Sequence, residues 1–595
     1  MRILIEEYEY DVRDLESSIP NYDKCPLLAN EQGKCRMEEV GYYYSQEIGD
    51  CIFILPKVVI QGAEESEQVA TGCNLQNLVF GKYRPEDIIN LDKPKNNVEV
   101  EFNHLQFIRN FSVWIYRAIN VYRQKDENLK SVKYKTLAKV GYSDCHLQGT
   151  ILDSVIALLD FYKLNKNFVL FAIQNNHRGY NHINWHKTVS RQIPLKQSNG
   201  SMVYLQPVNK KQQVFDDDEL FIIYFSILHY LKVRLGFELK IDARLNLLNV
   251  ELVENLRKGL GKVRLKQIKY RYFSDKTLRL WNLCYSFFDL SCEISSVSQG
   301  EEYLVAKKFE HVFEDIIDNL LQRGPIPSYL KKHKDGKQID HIFEYESLIN
   351  DNIYYIGDSK YYKIGHEVKG TMSEYKQYTY AKNVIQYNLD LFLQGQRCLQ
   401  YRDELTEGYN ITPNFFISGQ IKPQMMDYDQ DGLAPHYFQY NGVRTNATYQ
   451  CQFPNRLFDR DTLWLSHYDI NFLYVLSLYV RANNYANKRF RNRIQGMFRE
   501  KIIEAIGAFY DFYILKPKRD ADYIEDLVHK TFWKLNGKLY RPFKDKEWLL
   551  LALYKNDAEN NEVLNIVKVN FAKIDNYKLG LDIETFIQNH SNEFR

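Results

Sequence analysis

The chain lacks any pair of cysteines at C-x-x-C spacing; its nine, at 25, 35, 51, 73, 145, 284, 292, 398 and 451, are scattered. That excludes a zinc ribbon. The odd count and loose spacing predict reduced thiols in a cytosol. No G-x-x-x-x-G-K-[ST] is present, and Gly259-Leu260-Gly261-Lys262 lacks the required span. The chain therefore carries no P-loop of its own. No serine occupies a G-x-S-x-G elbow, which removes support for that hydrolase chemistry. The longest apolar run, Leu463 to Val480, is broken by His467, Asp469 and Asn471, too soon for a membrane span. Met1 to Asp14 is acidic and has no apolar signal core, so a cytoplasmic location is expected. Charge of one sign is missing too: 78 basic residues face 76 acidic ones, for a net +2. A uniformly basic nucleic-acid coat is excluded, whereas a local basic groove is not.

What is present is ordinary for a soluble globular protein, with 45% hydrophobic and 26% charged residues. A length of 595 predicts roughly three or four domains. Tyrosine is frequent, at 46 residues; such rings stack on bases or fill cores. Residues 1–100 read as a β-rich domain, with strands at Gly41–Tyr44 and Cys51–Pro56 around a Gly49-Asp50 turn. Residues 101–295 read as an α+β central domain for docking a partner or DNA. Its helical face from about 104 to 165 carries Leu105, Ile108, Phe111, Ile115 and Ile119. The run Asp216-Asp217-Asp218-Glu219 opens an apolar helix, Leu220 to Leu235, where carboxylates favour the N-terminal dipole. Residues 257–279 are basic with interleaved Tyr270, Tyr272 and Phe273. Arg264, Lys266, Lys269 and Arg271 are the candidate DNA-phosphate contacts there, against the alternative of a solvated helix face. Residues 484–595 read as a mostly helical region, rich in Lys and Arg at its start.

The chemistry concentrates in residues 296–483. A helix is expected from Glu302 to Gln322, with Ala306, Phe309, Phe313, Ile316 and Leu320 on its apolar stripe. Gly324-Pro325-Ile326-Pro327 stops it. Two strands follow, Gln338–Tyr345 and Ile353–Tyr362, around a turn at Asn350-Asp351-Asn352. Residues two apart on a strand share a face, so Asp358 and Lys360 point the same way. A hairpin with 340 opposite 362 brings Asp340 onto that face, with Glu344 as its rival. Cleaving a phosphodiester needs a water nucleophile and relief of developing negative charge. Mg²⁺ takes oxygen ligands, commonly one or two carboxylates plus phosphate oxygens. A neighbouring lysine can orient the water or stabilise the phosphate. A bare D-x-K is weak evidence. One that ends an apolar strand, with an acid on the preceding strand and a helix with Glu374, Lys376, Gln377 and Tyr380 behind it, is far more specific. The bland alternative is a surface strand with a salt-bridged Asp–Lys pair.

This segment resembles the PD-(D/E)xK nuclease superfamily, and the chain from about Val40 to Val480 resembles the McrC/LlaJI group of modification-linked restriction endonucleases. The resemblance extends to Val40–Lys57, to Ile183–Pro194 followed by Val203–Leu205, and to the Phe309–Leu321 helix. It implies an α/β fold with a restriction-endonuclease-like core, a mixed central sheet flanked by helices. An N-terminal α+β module precedes that core. By the match Asp340 and Asp358 bind metal, Lys360 positions the nucleophile, Glu314 is the helical acid with Glu310 as alternative, and Gln377 lies near the metal or the backbone phosphate. Ile339 stands where the family has proline. The resemblance further implies Mg²⁺ (or Mn²⁺), DNA as substrate, a McrB-like AAA+ GTPase or ATPase partner, and restriction of foreign DNA in a prokaryotic cytoplasm. The competing roles are DNA repair, RNA cleavage, or a non-catalytic nucleic-acid-binding adaptor. Asp427, Asp429, Asp431 and Gly432 mimic an EF-hand start, but Phe438 occupies the position of its bidentate Glu. Cys145-His146 lacks zinc spacing.

Overall fold

Large apolar residues along Arg2–Ile5 (β1), Val40–Ser45 (β2) and Asp50–Leu55 (β3) form three strands with few exposed side chains. In the computed structural model β3 lies parallel to β1 and antiparallel to β2. Val132–Lys135 (β4) and Glu301–Ala306 (β5) complete this sheet, in the order β1-β3-β2-β5-β4. The structure describes residues 1–590 except 62–76, 92–93, 95–99, 126–130, 136–149, 166–170, 177–181, 215–217, 236–238, 240, 242–245, 297–299, 323–325, 332–337, 350–351, 362–370, 422–445, 450–452, 482–483 and residues 32, 46, 49 and 545.

Phe102–Lys125 (α1) lays Phe107, Ile108, Phe111, Ile115 and Ile119 into the main core beneath this sheet. Ile151–Leu164 (α2) starts with a capping box: the Thr150 hydroxyl accepts from the Asp153 amide and the Asp153 carboxylate accepts from the Thr150 amide at 3.0 Å. Glu219–Leu235 (α3), Gly261–Ile268 (α4) and Asp275–Ser296 (α5) enclose a separate core of Leu220, Ile227, Leu265, Ile268 and Phe288. Asp218 caps α3 at the Leu220 amide (3.0 Å), in keeping with the acidic run read as a helix start.

The helix expected from Glu302 is shorter at its front. Residues 301–306 form β5, and the helix proper, α6, runs Phe309–Leu321. Ala306 is therefore a strand residue, because β2 and β4 pair with this segment on both sides and offset its helix propensity. The second sheet follows: His341–Glu346 (β6), Asn352–Lys360 (β7), Pro413–Gln420 (β8), Asn446–Tyr449 (β9) and Trp464–Asn471 (β10), in the order β6-β7-β8-β10-β9. The strands β7, β8 and β10 are parallel, with β6 and β9 antiparallel at the edges. Thr371–Leu393 (α7) lies between β7 and β8 in the chain, and Phe472–Arg481 (α8) follows β10.

Asn484–Phe509 (α9) packs on this sheet through Phe498, whose ring stacks on Tyr468 at 4.0 Å. Arg491 and Gln495 of α9 donate to the last carbonyls of α6, at Leu320 (3.1 Å) and Leu321 (2.9 Å), groups that a helix end leaves without partners. The segment after α9 is built on a sheet that the helical reading of 484–595 left out. It comprises Tyr510–Pro517 (β11), Leu539–Tyr540 (β12), Leu549–Tyr554 (β13) and Phe571–Tyr577 (β14), in the order β12-β13-β11-β14. The whole is a mixed α/β protein with several open sheets. Among the described residues no helix is long and apolar enough to cross a membrane.

Candidate active site

Hairpin β6–β7 sets the geometry. His341 pairs with Gly357 and Glu346 with Asn352, so Asp340, just before β6, continues the register opposite Asp358. The expected register, 340 opposite 362, is corrected by four residues. The reversal centres on Ile349 because Leu348 and Ile349 are drawn into the core. An even shift keeps every side chain on its face, so Asp340, Asp358 and Lys360 still converge. Glu344 moves away from them: it lies opposite Tyr354 and accepts from the Asn352 amide at 2.9 Å.

Lys360 donates to Asp358 and, at 3.3 Å, lies near the Ser373 hydroxyl at the start of α7. Its Nζ sits 4.7 Å above the Phe416 ring. The Asp340 carboxyl is held well above the usual carboxylate range, by burial first, then by the hydrogen-bonded Asp358 carboxyl and the negative charge of Glu314. Burial and the neighbouring carboxylates thus disfavour a negative charge on Asp340, and a cation placed beside it would favour that charge. Glu314 is half-buried, 3.3 Å from His311 Nδ1, whereas Glu310 faces Lys308 at 3.6 Å. Gln377, one helical turn beyond Ser373, is fully buried, and neither amide atom has a hydrogen-bond partner among the described residues. Such a group calls for a ligand or water.

Among the described residues no three His, Cys, Asp or Glu side chains converge at metal-ligand spacing. What exists is a carboxylate pair with Glu314 at its margin. That donor set fits a hard divalent ion that keeps several waters, for which one or two carboxylates suffice.

The other face of the hairpin is a packed wall. His341, fully buried beside Asp340, meets the Ser359 hydroxyl through Nε2 and lies 3.5 Å from Asp318 of α6 through Nδ1. Gly357 has no room for a side chain: a Cβ there would stand 2.1 Å from the Phe415 ring. Tyr361, next after Lys360, is buried against Phe309 and Phe313 and donates to Glu6, which also accepts from the Lys57 amide at 3.0 Å. The first sheet thus braces the end of β7. None of His341, Ser359, Tyr361 or Glu6 was picked out in sequence, since only tertiary packing brings them to the reactive face's back.

The basic stretch is far from uniform. Arg264 and Arg271 both turn to Glu219, at 3.0 and 3.4 Å, while Lys269 and Lys266 lie over Trp281 (4.5 Å) and Tyr285 (5.7 Å). Tyr270 and Phe273 are exposed. The Asp427–Gly432 stretch and Cys145-His146 lie outside the described residues, and Cys25, Cys35, Cys51, Cys284, Cys292 and Cys398 are free thiols.

No family model matches the chain, and no curated protein does. Among solved structures it is similar to a half-complex of Thermococcus gammatolerans McrB AAA+ hexamers with bound McrC, with 11% identity over 83% of this chain and 99% of that one and a TM-score of 0.26. It is also similar to the Thermococcus gammatolerans McrBC complex, with 11% identity over 54% of this chain and 89% of that one and a TM-score of 0.16. Superposition this slight carries no argument, and the functional reading stands on the side chains themselves.

Proposed function

We propose that the chain is a Mg²⁺-dependent endonuclease with a PD-(D/E)xK core that hydrolyses DNA phosphodiesters, as the nuclease subunit of a restriction system. The observation that carries this is the convergence of the Asp340 and Asp358 carboxyls and the Lys360 ammonium at one end of a strand pair. Asp340 and Asp358 would hold the ion, with Glu314 supporting its waters. Bound there, Mg²⁺ lowers the pKa of its water and offsets charge on the transition state. Lys360, released from Asp358, places the attacking water or the phosphate oxygen. Gln377 lies one turn beyond Ser373 on the helix whose start meets Lys360, and its buried amide has no hydrogen-bond partner among the described residues.

A chain without a P-loop needs another polypeptide for nucleotide-driven movement, and the sequence resemblance supports an AAA+ GTPase or ATPase in that role. The central region offers a surface for a protein partner: Trp185, Ile193, Met202 and Leu205 are each more than half exposed within some twenty residues. Plasmid cleavage with Mg²⁺, with and without a P-loop partner, tests the reading. Wild type is expected to cut, and Asp358→Ala to lose at least about 10²-fold in rate. Equal cutting by both proteins would end the proposal, and matched RNA cut in preference to DNA would redirect it.

A further inference from the structure

Residues 470–499 contain no Asp or Glu and six cations: Arg481, Lys488, Arg489, Arg491, Arg493 and Arg499. They span α8 and the first half of α9. The helix period sorts the α9 residues into two faces. Asn487, Phe490, Ile494 and Phe498 are buried, with the Phe490 ring 5.5 Å from that of Tyr474 in α8. Two cations serve the fold from the flank of this inner face: Arg491 donates to the Leu320 carbonyl at 3.1 Å and Arg499 to the Ser347 carbonyl at 2.9 Å. Lys488, Arg489 and Asn492 stand on the exposed side, and Arg481 is exposed at the end of α8. Neither a hydrogen bond nor an ion pair joins Arg481, Lys488 or Arg489 to any described residue. Elsewhere on the surface such charges are balanced. Lys530 meets Asp526 one turn away at 2.6 Å, and Arg264 and Arg271 share Glu219. Cations without acids on one helix face repel one another, and the helix dipole adds positive charge at the start of α9. The folded chain gains nothing from this surface, whereas a bound polyanion relieves it.

We propose that the outward face at the start of α9, together with Arg481, lies along the phosphate backbone of duplex DNA. This rests on the nuclease reading and adds a substrate contact apart from the carboxylate pair. Long, exposed cationic side chains on a convex helix suit a regular polyanion, and duplex DNA carries one charge per about 1.7 Å of its axis. Contacts of this kind hold and orient the duplex without reading its sequence. A protein partner fits less well. Lysine is depleted at the core of protein interfaces, and Lys488, Arg489 and Asn492 form a polar strip. The apolar residues suited to a protein lie instead on the surface of Trp185, Ile193, Met202 and Leu205.

The test uses full-length protein in an Asp358→Ala background, so that binding is read without cleavage. Affinity for a labelled duplex of about 30 base pairs is measured across salt concentration. Combining Arg481→Gln, Lys488→Gln and Arg489→Gln is expected to lower the log–log salt slope by about 2–3 and the low-salt affinity at least about tenfold. The melting temperature is expected to hold or rise, since the three side chains are exposed and their mutual repulsion is removed. Arg481→Lys with Arg489→Lys keeps the charges and is expected to keep the slope. An unchanged slope in the glutamine variant overturns the proposal. So does an affinity loss that the lysine variant shares, which assigns the arginines to local packing. Intact DNA binding with lost assembly on a P-loop partner overturns it too, and gives the face to an acidic protein surface. A parent protein that binds no duplex is equally fatal to it. Binding that follows the expected salt dependence while the wild type cuts nothing supports this surface and counts against the nuclease reading alone.

Discussion

Asp340 carries the electrostatic cost of the carboxylate pair. Its folded carboxyl titrates well above the usual range, through burial and the neighbouring Asp358 and Glu314 charges. A group whose folded pKa is raised adds stability that is complete below its unfolded value, near 4. That stability is lost as pH rises through the folded value. The metal-free protein is therefore expected to lose thermal stability from about pH 5 upward, and Mg²⁺ to restore it most at high pH. Asp340→Asn should flatten that pH dependence, raise the melting temperature at pH 8 in EDTA, and abolish cleavage. Melting curves of both proteins across pH with EDTA check this. Parallel curves would show that Asp340 is not the group that the site strains.

The hairpin β6–β7 has one side that carries the proposed site and one packed side. Asp340, Asp358 and Lys360 stand on one, and His341, Gly357 and Ser359 are pressed against α6 and Phe415 on the other. Gly357 is where the two demands meet. Gly357→Ala places a methyl inside the Phe415 ring, and overpacking of this kind costs about 1–3 kcal/mol. Calorimetry should show a lowered melting temperature together with reduced cleavage, since the displaced backbone carries Asp358. A variant as stable as wild type would mean that Phe415 moves aside freely. The periodicity of this hairpin was plain in the sequence, and so was the face shared by Asp358 and Lys360. Its register was not: the pairing centres on Ile349, which is buried with Leu348, and long-range burial of that kind leaves no local signature.

Across the molecule, the first sheet gathers strands that begin at residues 2, 40, 50, 132 and 301, and one buried acid on it ties two neighbouring segments. Glu302 accepts from the Tyr42 hydroxyl at 2.9 Å and from the Ile151 amide at 3.1 Å, and burial pushes its pKa to about 7. Glu6, under Tyr361, is pushed to about 7 as well. Each contributes stability that is full below pH 4.5 and lost by about pH 7, on the order of 2–3 kcal/mol apiece. Glu302→Gln should reduce the fall in unfolding free energy between pH 5 and 8. Urea titrations at the two pH values measure it, and an unreduced difference would refute the assignment. The basic stretch also belongs to this scale. Replacing Arg264, Lys266, Lys269 and Arg271 together should weaken DNA binding and flatten its salt dependence. Arg264 and Arg271 must first leave Glu219, so a change in slope of about 2 is expected, not the nearly 4 that four free cations give. An unchanged slope would leave these residues to the helix surface.

The sequence by itself determined which residues alternate, where helices can begin, and that an acid, a second acid and a lysine sit at spacings that let them meet. These are local properties, fixed by the strand period of two and the helix period of 3.6. Only the tertiary structure decided that Glu301–Ala306 is a strand, that Asp340 faces Asp358 directly, and that Arg491 turns to the end of α6 while Lys488 and Arg489 stay outside. Those outcomes depend on which distant segment supplies the hydrogen-bonding edge or the packed surface. No local pattern contains that information.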